Sequence, residues 1–587
     1  MGDWWFGSGV QRVRGCRLSL HITKRGRNAD EISQRLTIES SVNDAGNVLK
    51  RESDLEMRRD LPTSIRTDLL QEGEPVKSDE AELRIQVKKF QIEGSISVVS
   101  EEDIFKILAE YENKSLTFKE IQAVARKITQ FYTNKGYALA SATVPKQEVL
   151  DGIVKILINE GSIDPDQPIK FKTNQLRLDE NFARSYFDSA FENGVFKQEK
   201  LERSILNLND NPGITSSANL EPGSKSGTTR VVMDVNEGPL LDGSVMADNY
   251  GSRYTGSDRL SASLNLNNPS HYGDRLSFYG VTAVEQQFDL LKLSYGLPIG
   301  SSGLRANISY TDLQFKLGKE LKDSDSTGHA RNWTYGLRYP LYRTSMTSLS
   351  ISGGYDWKSN YNESANQAVS DKFLDVYNTN LILEHVDKFL GGGFSQAMVG
   401  YINGDLDLGR FESDDTAKTS GRYQKTNAQL VRIQRGTERL SFQFIGNYQR
   451  ATKNLDGSEK IILGGPAGIR AYPAGEAAGD EGYRYSIDAR YVLATASKVG
   501  DVVLSTFYDY GRIWQYDNPG LISGLSNNSY SLQGWGIGLD VIAAGKYSLK
   551  TVWAKPIGGN PGKDSSGNDS DGTSRDSRFW LMGTVSF

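Results

Sequence analysis

From residue 240 to the terminal Phe587, apolar side chains return at every second position. Leu260, Ala262, Leu264 and Leu266 alternate with Ser261, Ser263 and Asn265, and Trp333, Tyr335, Leu337 and Tyr339 with Thr334, Gly336 and Arg338. Near the end Trp535, Ile537, Leu539 and Val541 alternate with Gly534, Gly536, Gly538 and Asp540. A period of two marks strands with one apolar and one polar face. Sustained over 348 residues, it requires one very large sheet, either a soluble β-sandwich or a closed barrel with its apolar face in lipid. At roughly 22 residues per strand and connection the segment makes 16 strands, and the even number suits an antiparallel barrel.

Composition is compatible with the barrel. The chain has 587 residues and is 37% hydrophobic, with a mean hydropathy of −0.49. No run approaches the roughly 18 to 20 apolar residues of a membrane helix, which excludes a helical membrane protein. A barrel escapes that test because alternation averages to a hydrophilic value. Gly 59 and Tyr 28 are both high, and aromatics suit interfacial girdles. The formal charge of −5 offers no basic footprint for nucleic acid. Cys16 is the only cysteine, so neither an internal disulfide nor a two-thiol metal site is available. His21, His271, His329 and His385 show no paired spacing; no metal and no cofactor are expected.

Ahead of the alternating segment the chain changes character several times. Residues 1–42 carry scattered Arg and Lys but no apolar export core, and are set aside as a leader or added segment. Residues 43–60 (NDAGNVLKRESDLEMRRD) are good helix formers with Asn43 or Asp44 as cap. Their apolar stripe is thin: Val48, Leu49, Leu55 and Met57. A helix that polar is either solvated or sits in a polar cavity. Residues 61–81, with Pro62 and Pro75, read as a linker.

Residues 82–161 and 162–239 read as two copies of one α/β module in the order β-α-α-β-β, with a period near 75 residues. In the first, a strand over 85–92 precedes helices over 100–111 and 117–134 and strands over 138–144 and 152–159. In the second, a strand over 169–172 precedes helices over 179–192 and 198–208 and strands over 215–220 and 228–236.

Two motifs stand in the alternating segment. Leu463 to Tyr472 (LGGPAGIRAY) places one arginine in a Gly-rich loop, and Phe507-Tyr508-Asp509-Tyr510-Gly511 places one aspartate in an alternating strand. Asp509 shares parity with Ser505 and Gly511, opposite Leu504, Tyr508 and Tyr510, so its carboxylate faces inward. Five alternating segments follow the loop, at 485–493, 502–510, 532–541, 547–552 and 579–587, which puts Asp509 on the thirteenth strand of sixteen. An arginine can meet such a carboxylate with two hydrogen bonds.

With these motifs the chain resembles the Omp85 superfamily, and more closely the transporters of two-partner secretion. The resemblance spans about residues 43–587. Its signature loop is hydrophobic-Arg-Gly-aromatic, matched by Ile469, Arg470, Ala471 and Tyr472; its strand motif is matched by Phe507, Asp509 and Gly511. Ala471 stands where the family has glycine, which questions any loop geometry that only glycine favours. NKGYALASATVPKQEVLDGIVKILINEG (134–161) and LNLNDNPGITSSANLEPGSKSGTTRVVMDVNEGP (206–239) resemble the final strands of two POTRA domains, and NDAGNVLKRE resembles the plug helix of the lumen. The resemblance therefore implies a multidomain protein: a 16-stranded antiparallel transmembrane β-barrel preceded by two α/β POTRA domains and an N-terminal plug helix. It implies an Arg470–Asp509 contact that locks the loop into the barrel.

The chain ends with Phe579, Leu581, Gly583, Val585 and Phe587 on one parity, similar to the signal read by the outer-membrane assembly machinery. The implied function is an outer-membrane pore, its POTRA domains in the periplasm, that carries an unfolded exoprotein (an adhesin, haemolysin or contact-dependent inhibition toxin) to the surface. Outer-membrane lipid and the assembly machinery are the other expected partners, and a monomer without enzyme activity is expected. A strand edge at Tyr137, Ala138, Leu139, Ala140 and Val144 is the candidate binding edge for the client, which would add a strand to it. An insertase sharing the same parts, and a passive porin, are the alternatives.

Overall fold

The computed structural model describes residues 43–60 and 84–587, apart from 95, 138, 150, 173–175, 192–196, 226–227, 498 and 526. The expected linker and residues 1–42 lie outside the described residues. The described chain opens with helix α1 (Ala45–Asp60). A first module follows: β1 (Arg84–Val87), β2 (Lys89–Glu93), α2 (Glu101–Ala109), β3 (Lys114–Thr117), α3 (Phe118–Asn134), β4 (Ser141–Thr143) and β5 (Ile153–Asn159). The second comprises β6 (Ser162–Ile163), β7 (Ile169–Lys172), α4 (Glu180–Ser185), α5 (Gln198–Asn209), β8 (Ile214–Pro222) and β9 (Thr228–Glu237).

The barrel begins with β10 (Leu241–Asp248), β11 (Arg259–Asn267), β12 (Arg275–Ala283), β13 (Phe288–Pro298) and β14 (Arg305–Lys316). The tall strands are next: β15 (Thr327–Arg343), β16 (Thr347–Ser364), β17 (Gln367–Asp387), β18 (Gly393–Asp407), β19 (Gly421–Arg435) and β20 (Leu440–Ala451). Two short strands, β21 (Ile461–Ile462) and β22 (Ala478–Gly479), lie within a long loop. The wall resumes with β23 (Glu481–Ser497), β24 (Gly500–Trp514), β25 (Ser529–Ala543), β26 (Tyr547–Pro556) and β27 (Arg578–Ser586). Among the described residues sixteen antiparallel strands close into one barrel, β10 pairing with β27.

Closure follows from the solvent: hydrocarbon offers no partner to a free N–H or C=O, so a membrane sheet cannot keep an edge. The seam runs from Ser244 opposite Ser586 to Asp248 opposite Met582. Beyond it Gly243 and Phe587 exchange two backbone bonds of 3.0 Å. Outward Leu260, Leu337, Leu381, Ile537 and Leu539 are exposed, whereas inward Ser261, Thr334, Ser350 and Asp509 are buried. Phe579, Leu581, Val585 and Phe587 all point outward, Phe587 being 65% exposed. Strand length varies around the wall, from 8 residues in β10 to 21 in β17.

In the first module α2 and α3 pack Ile104, Leu108, Ile121, Val124, Ile128 and Tyr132 with Phe90 and Ile156 of the sheet β2-β5-β4. Thr117 and Glu120 form a capping box at the start of α3. The expected strand 85–92 is broken at Lys88, whose N–H goes to Gly152 O at 2.8 Å. Its halves then pair differently, β1 with β3 and β2 with β5.

The expected edge 137–144 is much shorter, because helix α3 uses its first part as a cap. Gly136 takes φ +90°; its N–H bonds Thr133 O, and that of Tyr137 bonds Tyr132 O, both at 2.9 Å. That pair of bonds is the Schellman stop. Ala140 N–H then turns back to Tyr137 O. Only Ser141–Thr143 is strand, at the sheet edge. Ala140 is buried, Leu139 packs against the core of the second module, Val144 packs on that of the first, and Ala138 lies outside the described residues.

In the second module β9 is central, with β6 and β7 on one side and β8 on the other. The helix expected over 179–192 stops at Ser185 and gives way to a 3₁₀ turn at Asp188–Ala190, where Phe187 N–H bonds Arg184 O. The module grips the barrel turns nearest it. Arg203 donates to Pro340 O at 3.0 Å and Arg305 to Asn211 Oδ1 at 3.0 Å, and Asp179 N–H bonds His271 O. Phe182 and Tyr272 meet edge to face.

Glu160 ends the first module. It accepts from the amides of Ser97 and Val98, the Ser97 hydroxyl and the Tyr132 hydroxyl. Burial works against its ionisation, yet these bonds hold the carboxyl below its ordinary range. Its stabilisation is therefore present above the unfolded carboxylate pKa and is lost as pH falls through the lower folded value. Glu160→Gln is expected to cost about 1 kcal/mol, the low end for a partly solvated charged acceptor. Hydrogen exchange on the intact protein at neutral pH should show the Ser97 and Val98 amides roughly fivefold less protected. The difference from wild type should shrink below about pH 4.

Candidate functional site in the barrel lumen

Between β20 and β23 the chain turns inward as a compact loop, residues 452–480. β21 pairs with β22, and inside them Ile469 N–H reaches Leu463 O at 2.7 Å and Leu463 N–H reaches Ala477 O at 2.9 Å. The turn presents Arg470 to the inner faces of β23 and β24. Its Nε and Nη2 donate to the two oxygens of Asp509 at 2.9 and 2.7 Å, and its own amide adds a third bond to that carboxylate at 2.9 Å. Nη1 and Nη2 also reach both oxygens of Asp488, at 2.9 and 2.8 Å. Ser486 Oγ accepts from Arg470 and donates to Asp509 at 2.6 Å.

The guanidinium lies 3.3 Å from the centre of the Phe507 ring, a cation–π contact. From the far side Trp580 Nε1 donates to Arg470 O at 2.7 Å, tying the loop to β27. Two carboxylates around one guanidinium leave excess negative charge, and Arg58 of α1 lies within electrostatic reach of both.

The flanking residues are fitted to hollows in the wall. Ile469, Ala471 and Tyr472 are buried with Phe507, Ile513 and Leu532. A Cβ on Gly511 would stand 3.1 Å from Ile469 Cδ1 and 2.9 Å from Leu463 Cδ2, so the tips of those two loop side chains would have to shift. Gly534 on β25 is the matching hollow for Ala471, whose Cβ would meet a Cβ on Gly534 at 2.5 Å. Ala471 is not among the left-handed residues, so alanine costs the backbone nothing at this position. Ser486, Asp488 and Trp580 escape the sequence reading. The signal for the first two is the inward parity of Arg484, Ser486, Asp488 and Arg490 against Tyr485, Ile487 and Tyr491.

α1 lies beside the loop inside the barrel. Ala45, Val48 and Leu49 pack on Phe288, Leu290, Leu313 and Phe315, an apolar patch on the inner wall. The charges of α1 find partners around them. Glu52 and Asp248 share Arg259, and Glu56 pairs with Lys292 at 2.7 Å. Two wall cations bridge helix and loop. Lys372 binds Asp44 at 3.0 Å and Asp456 at 2.8 Å, while Arg484 binds Asp54 at 3.1 Å and donates to Ile462 O. A helix polar nearly all round is thus accommodated in a polar lumen.

A family model described as haemolysin secretion/activation protein ShlB/FhaC/HecB matches residues 227–541, and a ShlB-type POTRA domain model matches residues 85–161. The chain is 28% identical over 487 residues to the heme/hemopexin transporter protein HuxB of Haemophilus influenzae (strain 86-028NP), covering 82% of this chain and 85% of that protein. It is 22% identical over 472 residues to the outer membrane transporter CdiB of Escherichia coli O6:K15:H31, covering 76% and 77%. In fold it resembles CdiB from Escherichia coli with a TM-score of 0.69 at 19% identity, over 97% of this chain and 100% of that one. BamA from Haemophilus ducreyi lacking POTRA domains 1-3 gives 0.51 at 13% identity, over 86% and 100%.

Arg470→Ala is expected to strand two buried carboxylates and cost the loop contact about 3–5 kcal/mol. Arg470→Lys should recover little, since one ammonium cannot serve Asp509, Asp488 and Ser486 together. Proteolysis of folded barrels should show residues 452–480 cut in both variants and protected in wild type. Gly534→Ala should expose the same loop by collision with Ala471, and adding Ala471→Gly should restore its protection. A Gly534→Ala loop that stays protected contradicts this packing.

Proposed function

The chain belongs to the haemolysin secretion/activation (ShlB/FhaC/HecB) family, and we propose from that premise that its two periplasmic modules capture one unfolded exoprotein and feed it through the barrel to the cell surface. It is an outer-membrane transporter of two-partner secretion, with a ShlB-type POTRA domain on the periplasmic side. One observation carries the finer reading: two elements held by side-chain contacts, α1 and the loop 452–480, stand in the lumen and share the bridging cations Lys372 and Arg484. Contacts of this kind can be exchanged for contacts with a client, whereas a permanently open pore would need neither.

In this reading α1 closes the resting pore and withdraws when a client arrives. The loop stays clasped by Arg470 against Asp509 and Asp488 and keeps one side of the lumen in shape. The client adds an extended segment to an edge of the periplasmic modules through main-chain bonds; in the first module that edge is the short β4. No bond of the client is made or broken, and its folding outside the cell supplies the drive. A haem-acquisition exoprotein is the first client class to test, because HuxB is named a heme/hemopexin transporter; an adhesin, a haemolysin and an inhibition toxin follow. The transporter acts as a monomer, inserted by the barrel-assembly machinery through its last strand.

The test compares medium and outer membranes, by quantitative proteomics, from cells carrying the protein, lacking it, or carrying Arg470→Ala at matched barrel abundance. Loss of one large exoprotein with other barrels unchanged is the expected result. A general fall in outer-membrane barrels would mean an insertase, and no change in either fraction a passive pore.

A further inference from the structure

The lumen differs from one side to the other. The half from β23 through β27 to β12 is charged and engaged: Arg484, Asp488, Asp509 and Arg259 all bind the loop or α1. The half from β13 to β20 also holds α1, through Lys292, Lys372 and the apolar patch, and it carries two cross-strand rows of uncharged residues. Gly296, Asn307, Gly336, Gly354 and Asn378 are successive register partners across β13 to β17. Ser352, Asn380, Gly400, Asn427 and Gln449 are successive partners across β16 to β20. Charged residues flank the rows: Arg305 and Arg338 toward the second module, and Asp356 with the Lys358–Glu459–Lys425 cluster toward the loop.

Most of the row residues border open space that is also walled by Gly46, Leu49, Lys50, Ser53 and Met57 of α1 and by Ser458 and Glu459 of the loop. Three amides beside this space have polar atoms without a partner among the described residues. They are Oδ1 and Nδ2 of Asn360, and Oδ1 of Asn332 and of Asn427. Asn360 is 1% exposed and Asn332 6%. Asn360 sits directly under Gly46 of α1, where a Cβ would stand 2.6 Å from its Nδ2. Buried amides left unpaired are costly, and here they border the same space as the helix proposed to leave.

We propose that this face is the track for the translocating client, its Asn, Gln and Ser side chains hydrogen-bonding the extended main chain while the glycines give it room. The inference rests on the transporter reading above. Every residue of any client brings one N–H and one C=O, and a side-chain amide offers the same donor and acceptor. Recognition is then independent of client sequence. Neutral bonds exchange readily with water and are individually weak, so the chain can advance, whereas a wall of ions would retain segments of opposite charge and repel those of like charge.

The test measures the export rate of whichever exoprotein disappears from the medium when the transporter is deleted. Asn378→Leu, Asn380→Leu and Asn427→Leu together are expected to slow export at least fivefold at matched folded barrel. Gln at the same three positions should bring it back within twofold, and Lys550→Gln on β26, opposite the inward Asp540 of the charged half, should leave it within twofold. Unchanged export in the Leu variant, or an equal loss in Lys550→Gln, overturns the track. Should the Leu variant not fold, a photo-reactive benzoylphenylalanine at residue 380 or residue 550 decides: adducts with the exoprotein at 380 alone support the track. Adducts equal at both, confined to 550, or absent from both overturn it. A deletion strain that loses no exported protein removes the transporter reading itself, and is recognised before any wall variant is measured.

Discussion

The rest of the molecule depends on one requirement, that no backbone N–H or C=O be left unpaired in hydrocarbon. A sheet meets it by closing, and sixteen strands close around a lumen too wide for wall side chains to fill. Porins leave such a space to water. Here a helix and a loop stand in it, and both present polar groups because much of the inner wall faces them with Ser, Asn, Asp and Arg. The inward charges then need partners, which accounts for the ion pairs between α1, residues 452–480 and the wall. Burying charges this way adds little net stability, but it makes misplacement expensive. The arrangement therefore specifies position more than it adds to the stability of the barrel.

At the clasp, specificity is divided between charge and shape. Arg470 fixes the loop by direction, using its planar fork against two carboxylates on neighbouring strands. Gly534 fixes it by exclusion, because only a wall without Cβ there admits Ala471. The alanine in the loop is explained by this second mechanism: its methyl fills a hollow on β25 and needs no unusual backbone.

Much of this is legible in the sequence, and the illegible part has a definite character. Lipid on one face and lumen on the other impose opposite polarity, so parity reports which way each strand residue points, Asp509 included. Parity does not report which inward groups meet. Ser486 comes beside the clasp only because the β23–β24 register sets it opposite Asp509, and that register depends on strand length and tilt. Trp580 joins from β27, the last strand, a contact with no local signature. In the first module the sequence Asn134-Lys135-Gly136-Tyr137 already announces a helix stop, and Tyr137 is used by it. The helix cap takes precedence over the apolar run that follows, and the edge strand shrinks to Ser141–Thr143.

The uneven height of the wall affects the surrounding bilayer. At a typical tilt of ~40° the 8 residues of β10 rise ~20 Å and the 21 residues of β17 ~53 Å. The apolar band of such a barrel is ~25 Å tall. Next to β17 the lipid meets more strand than it needs; next to β10, and beside the similarly short β11, β12 and β27, it must compress to match. Mismatch costs a fraction of a kcal/mol per Å, so the barrel sits in an elastic gradient, with the most strained lipid lying against the junction of its first and last strands.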